Sequence, residues 1–141
     1  MVSLPATAAI VATAPSSSAA PCPGTTAIAV NACLNARLEQ SDAALNRYYE
    51  TALRRIRREN GAKVAQEFVR AERSWIVYRD SECKSVFDRY GGTIRVSVGL
   101  DCSIRLTRLR TYAIWRDWLT YVDSTPPLLP RPEVESVLSG R

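Results

Sequence analysis

The chain has 141 residues, of which 46% are hydrophobic and 23% charged, a composition typical of one folded domain. It contains no histidine, which excludes a Ser-His-Asp triad, a Cys-His pair and a histidine metal site. Nineteen Lys and Arg residues against fourteen Asp and Glu residues give a net charge of +5, which favours anionic partners.

The first part of the chain, residues 1–21, carries no charged side chain. It consists mainly of Ala, Ser, Thr and Pro, with an apolar patch at 8–11 and small residues at 17–20. This pattern predicts a secretory signal, and the alternative is a disordered leader. No run of eighteen apolar residues follows, so we expect no membrane span. The signal-like leader predicts a secreted or periplasmic protein.

Four cysteines occur in the chain, at Cys22, Cys33, Cys83 and Cys102. An even number behind a signal-like leader predicts disulfides, for which three connectivities are possible. We predict the local pairs Cys22–Cys33 and Cys83–Cys102, which close short loops at the ends of the helical part. The alternatives are a four-cysteine zinc site, for which the C-x-x-C spacing is missing, and four free thiols.

Three stretches have apolar residues spaced by three and four, which predicts amphipathic helices. They cover about residues 34–56, 64–86 and 102–122. Asn60–Gly61 ends the first helix, because both residues tolerate the left-handed conformation, and prolines 126–127 prevent the third from continuing. Short connections make neighbouring helices antiparallel, so we predict an all-α, small antiparallel bundle of three long helices tied by two disulfides.

Two connecting segments are less regular. Residues 92–101 alternate apolar and polar side chains, but a single strand would have no partner. We therefore predict a loop or a short helical turn with Ile94 and Val98 facing inward. The predicted domains are a leader over 1–21, a helical domain over 22–123 and a Pro-rich flexible tail over 124–141, frayed or docked on a partner.

A run of arginines lies near the end of the first helix, at Arg54, Arg55, Arg57 and Arg58. Such a run is a possible anion-binding surface, but it is also typical of a solvated helix end, where cations complement the helix dipole. The nearby Glu50 favours the second interpretation. No aromatic residues interleave with the arginines, so we expect no nucleic-acid partner.

Carboxylates are plentiful enough for an acid/base pair, but their placement argues against catalysis. Five glutamates lie on helix faces with arginines within four residues, the pattern of surface ion pairs. There is also no phosphate-binding glycine loop and no metal-ligand spacing. We therefore predict a protein that is not an enzyme and needs no cofactor. The five glutamates are Glu39, Glu50, Glu59, Glu67 and Glu72.

Several polar residues lie beside the apolar positions of the predicted helices. Because buried charges need partners, we expect these residues to form a structural network across the three helices. Trp75 and Arg79 are four residues apart, so the indole and the guanidinium can stack. The polar residues are Asp42, Asn46, Arg79, Asp80, Thr107 and Arg110.

Three blocks in chain order carry these residues. SDAALNRYY places Asp42, Asn46 and Tyr49 in a D-x-x-L-N-x-x-Y pattern. AERSWIVYRDSEC contains W-I-x-Y-R-D-x-E-C from Trp75 onward, and LTRLR contains T-x-x-R from Thr107. With the four cysteines, the order and spacing resemble the lysozyme inhibitor LprI-like, N-terminal domain family of secreted bacterial proteins, over about residues 22–114.

The resemblance implies an exported, disulfide-linked helical domain that acts by binding and inhibits lysozyme. Glu72 stands where the family usually has Gln, a difference that affects one hydrogen bond. The alternative function is a binding module for anionic cell-wall glycan or lipid, with no enzyme target.

Overall fold

A computed structural model describes residues 21–134 and consists of three helices in this range. Helix α1 covers Ala27–Glu59, α2 covers Gly61–Arg89 and α3 covers Ile94–Ile114, and a π-helical turn at Trp115–Leu119 follows. No strand occurs in the described part of the chain, and the predicted all-α class is confirmed. The predicted leader, apart from Pro21, and residues 135–141 of the tail lie outside the described residues.

Helix α1 begins earlier than predicted. Thr26 has an extended backbone, and its Oγ1 accepts a hydrogen bond of 3.2 Å from the backbone N–H of Ala29. A threonine in this position satisfies one of the N–H groups that the first turn leaves without a partner. The helix therefore starts about two turns before Leu34 and has 33 residues, a length of about 50 Å.

A single residue, Asn60, connects α1 to α2. Gly61 has a φ of +84°, a left-handed conformation that glycine adopts without steric cost. The helix end predicted at Asn60–Gly61 is thus confirmed. So short a connection turns the chain back on itself, and α1 and α2 run side by side in opposite directions.

The stretch predicted as a loop or short turn is the start of α3, since residues 94–101 are helical. Ile94 is 56% exposed and not inward-facing, whereas Val98 is half-buried. Two contacts stabilise this part of the helix. The Ser97 hydroxyl donates a hydrogen bond of 2.7 Å to Asn31 Oδ1 on α1, and Gly99 lies directly against the Phe87 ring of α2.

The apolar core lies near the α1–α2 connection. The buried positions predicted for α1 between 41 and 56 are confirmed. On α2 the buried face differs from the prediction, because Ala71 and Tyr78 are exposed and Glu72 is buried. The core cluster consists of Leu45, Tyr48, Ala52, Ile56, Ala65, Phe68, Ile114 and Leu119.

Both predicted disulfides are present. Cys22–Cys33 joins the segment before α1 to α1 itself, and Cys83–Cys102 joins α2 to α3. All four cysteines are used, so the zinc and free-thiol alternatives are wrong. Cys83 and Cys102 are buried, and their bridge holds α2 to α3 outside the main core cluster.

The described part of the Pro-rich segment lies against the bundle, in contrast to the flexible extension predicted from its composition. The Tyr48 hydroxyl donates a hydrogen bond of 2.6 Å to the Pro130 carbonyl, and Trp115 Nε1 donates one of 2.9 Å to the Leu129 carbonyl. Val134 is only 1% exposed. Proline has no N–H, but its carbonyl still accepts hydrogen bonds, and this allows the segment to pack.

Replacing Cys83 and Cys102 together by Ala is expected to lower the free energy of unfolding by about 3 kcal/mol, since the unfolded chain loses a covalent loop. Denaturant unfolding of the oxidised proteins measures this difference. Peptide mapping without reductant checks that Cys22–Cys33 still forms in the variant. An unchanged free energy of unfolding would contradict a stabilising role for the bridge.

Candidate functional site

Arg79 on α2 contacts both other helices. Its Nη1 donates hydrogen bonds of 3.0 Å to Asp42 Oδ1 on α1 and 3.2 Å to Thr107 Oγ1 on α3. Thr107 is fully buried, and its hydroxyl lies 3.4 Å from the same Asp42 oxygen. The expected network across the three helices is therefore present around Arg79.

The other polar residues predicted for this network lie farther out. Asp80 Oδ1 accepts a hydrogen bond of 3.0 Å from Arg79 Nε, but the Asp80 side chain is 62% exposed. Asn46 is exposed as well. Tyr49 is half-buried and stacks on Phe68, with ring centroids 5.2 Å apart. Asn46 and Tyr49 both line a groove between α1 and α2, and Asp80 does not.

A buried ion pair that the sequence analysis did not anticipate joins α2 to α3. Arg110 Nε and Nη2 both lie 2.8 Å from Glu72 Oε2, and the Glu72 side chain is only 9% exposed. The nearby arginines in the sequence had predicted a solvent-facing position for Glu72. The spacing did indicate burial, because position 72 follows Phe68 by four residues and precedes Trp75 by three, which places it on the same side of the helix.

Trp75 lies between two arginines of this region. The guanidinium carbons of Arg79 and Arg110 are 5.4 and 5.9 Å from the centroid of its ring. The predicted Trp75–Arg79 stacking is thus observed. The ring is half-buried against the apolar core, so one indole covers part of two ion pairs and shields them from water.

The four arginines of the predicted anion-binding run have different surroundings. Arg55 lies only 16% exposed and donates hydrogen bonds of 2.9 Å to the carbonyls of Trp118 and Thr120. Arg54 lies 3.9 Å from Glu50, and Arg58 lies 3.8 Å from Glu59. The run therefore does not form one anion-binding surface, because Arg55 binds the segment after α3.

Arg57, the fourth member of the run, lines an open cleft between the end of α1 and the first half of α2. The volume of this cleft is about 600 Å³. It continues through Val69 and Arg73 into a groove beside the Arg79 network. The residues that line the cleft are Arg57, Ala62, Ala65, Gln66, Val69, Arg70 and Arg73.

Two further properties bear on the classes of function. Within residues 21–134, no group of three or more Cys, Asp or Glu side chains is placed to hold a metal ion. None of the helices in the same range combines the length and the apolar character that crossing a membrane requires.

Comparison with protein families identifies one match, to a model described as Lysozyme inhibitor LprI, over residues 18–114. This chain belongs to the LprI lysozyme inhibitor family. The match covers α1, α2 and α3 to its last residue, so it includes both disulfides and the Arg79 network. Searches of curated proteins and of solved structures found no match.

Replacing Glu72 by Ala is expected to lower the free energy of unfolding by about 2 to 3 kcal/mol, because Arg110 then keeps a partly buried charge without its partner. Glu72→Gln retains one acceptor, and a loss of about 1 kcal/mol is expected. The matched control is Glu67→Ala on the exposed side of α2, with a change within about 0.5 kcal/mol. Equal effects at positions 67 and 72 would contradict a stabilising role for the buried pair.

Trp75→Ala is expected to lower the free energy of unfolding by about 2 to 3 kcal/mol, less than for a fully buried ring, since the indole is half-exposed. Thermal or denaturant unfolding measures the loss. Tyr78→Ala, three residues along α2, serves as the control because its ring is 53% exposed. If Trp75→Ala melts like the wild type, the ring does not stabilise the bundle.

Proposed function

We propose that this LprI-family protein is exported and inhibits lysozyme by binding to it. The observation that carries the proposal is the family match, which extends over all three helices. The two disulfides support export to a secreted or periplasmic location, because such bonds persist mainly in oxidising compartments.

The residues of the chain favour binding over turnover. No histidine is available as a general base at neutral pH. Every cysteine is bonded to another, so none offers the thiolate that a cysteine nucleophile requires. The buried carboxylate Glu72 is held by Arg110 between α2 and α3, where it serves the packing of the bundle.

We assign the lysozyme contact to the exposed side of α2 around Tyr78. Ile76, Val77 and Tyr78 are 41%, 66% and 53% exposed. Consecutive residues of a helix point in different directions, so we centre this surface on Tyr78. Tyrosine often carries a large share of the binding energy at an interface. Tyr78 also lies in the W-I-x-Y-R-D block, although it makes no contribution to the core.

The test is a titration of purified, oxidised protein against several lysozyme types at physiological salt. We expect saturable inhibition of at least one type below tens of micromolar protein. Tyr78→Ala is expected to weaken inhibition at least about tenfold, as for a residue central to an interface. The matched control is Tyr90→Ala, which removes another exposed tyrosine from the end of α2 and is expected to leave inhibition unchanged.

Absence of inhibition of every lysozyme type at tens of micromolar protein would contradict the proposal. Inhibition that Tyr78→Ala and Tyr90→Ala weaken equally would retain the function but reject the assigned contact surface. Turnover of a glycan substrate would contradict a binding function altogether.

A second candidate function is binding of anionic cell-wall glycan or lipid without an enzyme target. The observation that favours it is the cleft at Arg57, Arg70 and Arg73, because no carboxylate is among its lining residues. Retention on anionic wall polymer that falls as salt rises, in a protein that leaves lysozyme active, would support this function in place of the first.

A further inference from the structure

Three arginines converge on the cleft between α1 and α2. Arg57 lies in the last turn of α1, and Arg70 and Arg73 lie on α2. Residues three apart share one side of a helix, so Arg70 and Arg73 point in similar directions toward the cleft. Gln66, four residues before Arg70, adds an amide that can donate a hydrogen bond at the same surface.

Two of these arginines affect the pKa of the same side chain, Tyr49. Its hydroxyl lies beside the groove, and burial and the charge of Glu72 raise its pKa. The charges of Arg73 and Arg57 lower the same pKa. Arg57 of α1 and Arg73 of α2 therefore both lie near Tyr49, although the net pKa of this tyrosine stays raised.

None of the three cleft arginines has an ion-pair partner among the described residues. Within residues 21–134, no carboxylate oxygen lies within 4.0 Å of the side-chain nitrogens of Arg57, Arg70 or Arg73. Like charges that share a cleft repel each other, and an anion between them removes this cost. Arginines that form ion pairs elsewhere in this range include Arg54, Arg55, Arg58, Arg79, Arg95, Arg110 and Arg116.

We propose that the cleft of Arg57, Arg70 and Arg73 is a binding site for a phosphate group presented by an envelope polyanion. Guanidinium groups bind phosphate and carboxylate through paired hydrogen bonds. Three guanidiniums, however, offer more donors than one carboxylate can accept, and they match the larger set of oxygens that neighbouring phosphates of a polyanion present. This site deepens the second candidate function and does not require that the protein inhibit lysozyme.

The first test follows the arginine Nε–Hε signals of the full chain by NMR during titration with inorganic phosphate and with pyrophosphate. The signals of Arg57, Arg70 and Arg73 are expected to shift together and to saturate, with pyrophosphate binding more tightly. Glutamate is the carboxylate comparison, and we expect it to bind at least about tenfold more weakly than pyrophosphate.

Matched variants separate the site from general surface charge. Arg70→Gln/Arg73→Gln and Arg47→Gln/Arg105→Gln each remove two positive charges from the net +5, and all four side chains are exposed. The first variant is expected to weaken pyrophosphate binding at least about tenfold, and the second less than about twofold. Equal weakening by the two variants, or shifts that do not saturate, would overturn the proposal.

Two probes then distinguish the source of the phosphate. One is soluble polyphosphate, and the other is vesicles of phosphatidylcholine with phosphatidylglycerol. Binding to either probe that Arg70→Gln/Arg73→Gln weakens and Arg47→Gln/Arg105→Gln preserves supports the site and identifies that source. If neither probe distinguishes the two variants, the cleft does not recognise phosphate in a polyanion and the proposal is wrong.

Discussion

The guanidinium of Arg79 is the contact on which the relative positions of the three helices depend. From α2 it reaches a carboxylate on α1 and a buried hydroxyl on α3. A buried polar group without a partner is costly, so any slip of one helix along another breaks at least one of these hydrogen bonds. Apolar packing tolerates small shifts, whereas this geometry does not. The network therefore sets which residues of the three helices lie at the same level.

Three kinds of interaction succeed one another along the bundle. Near the α1–α2 connection the contacts are apolar, with Ile56, Ala65 and Phe68 buried. The middle is polar and contains the Arg79 network and the Glu72–Arg110 pair. Farther along, the Cys83–Cys102 bridge holds α2 to α3. A domain of this size has a small core, so a covalent bond adds stability where apolar burial is limited.

The segment after α3 adds to the core from outside the helices. Arg55 holds the carbonyls of Trp118 and Thr120, and its guanidinium lies 4.1 Å from the centre of the Tyr121 ring. The chain then returns along α1, where Tyr48 binds the Pro130 carbonyl. This segment lies beyond the family match, which ends at residue 114. It stabilises one side of the bundle and leaves the α1–α2 groove open.

The separation of paired and unpaired charges has a consequence for function. The arginines that stabilise the bundle are held by carboxylates or carbonyls, and their charge is compensated where they lie. No carboxylate among the described residues compensates the charges of the three cleft arginines. The apolar residues at 76–78 are likewise exposed on α2. Both features cost free energy in an isolated protein, and binding to a partner would recover it.

Sequence by itself determined the helical class and the helix end at Asn60–Gly61, and it favoured the disulfide pairing that the structure contains. These properties follow from local spacing, from glycine conformation and from the order of the cysteines. It also pointed to the residues of the Arg79 network, because polar side chains beside an apolar stripe need partners. The family resemblance, likewise carried by the sequence, was confirmed by the match over residues 18–114.

Only the tertiary structure decided where the charges lie. Glu72 and Glu67 are both glutamates on α2 with arginines nearby, yet Glu72 is buried because Arg110 of α3 reaches it. Arg55 and Arg57 are two residues apart, but one binds the segment after α3 and the other lines the cleft. Residues 94–101, where apolar and polar side chains alternate, form a helix because Ser97 contacts α1 and Gly99 contacts α2. In each case a residue distant in sequence supplies the partner, and local spacing carries no information about it.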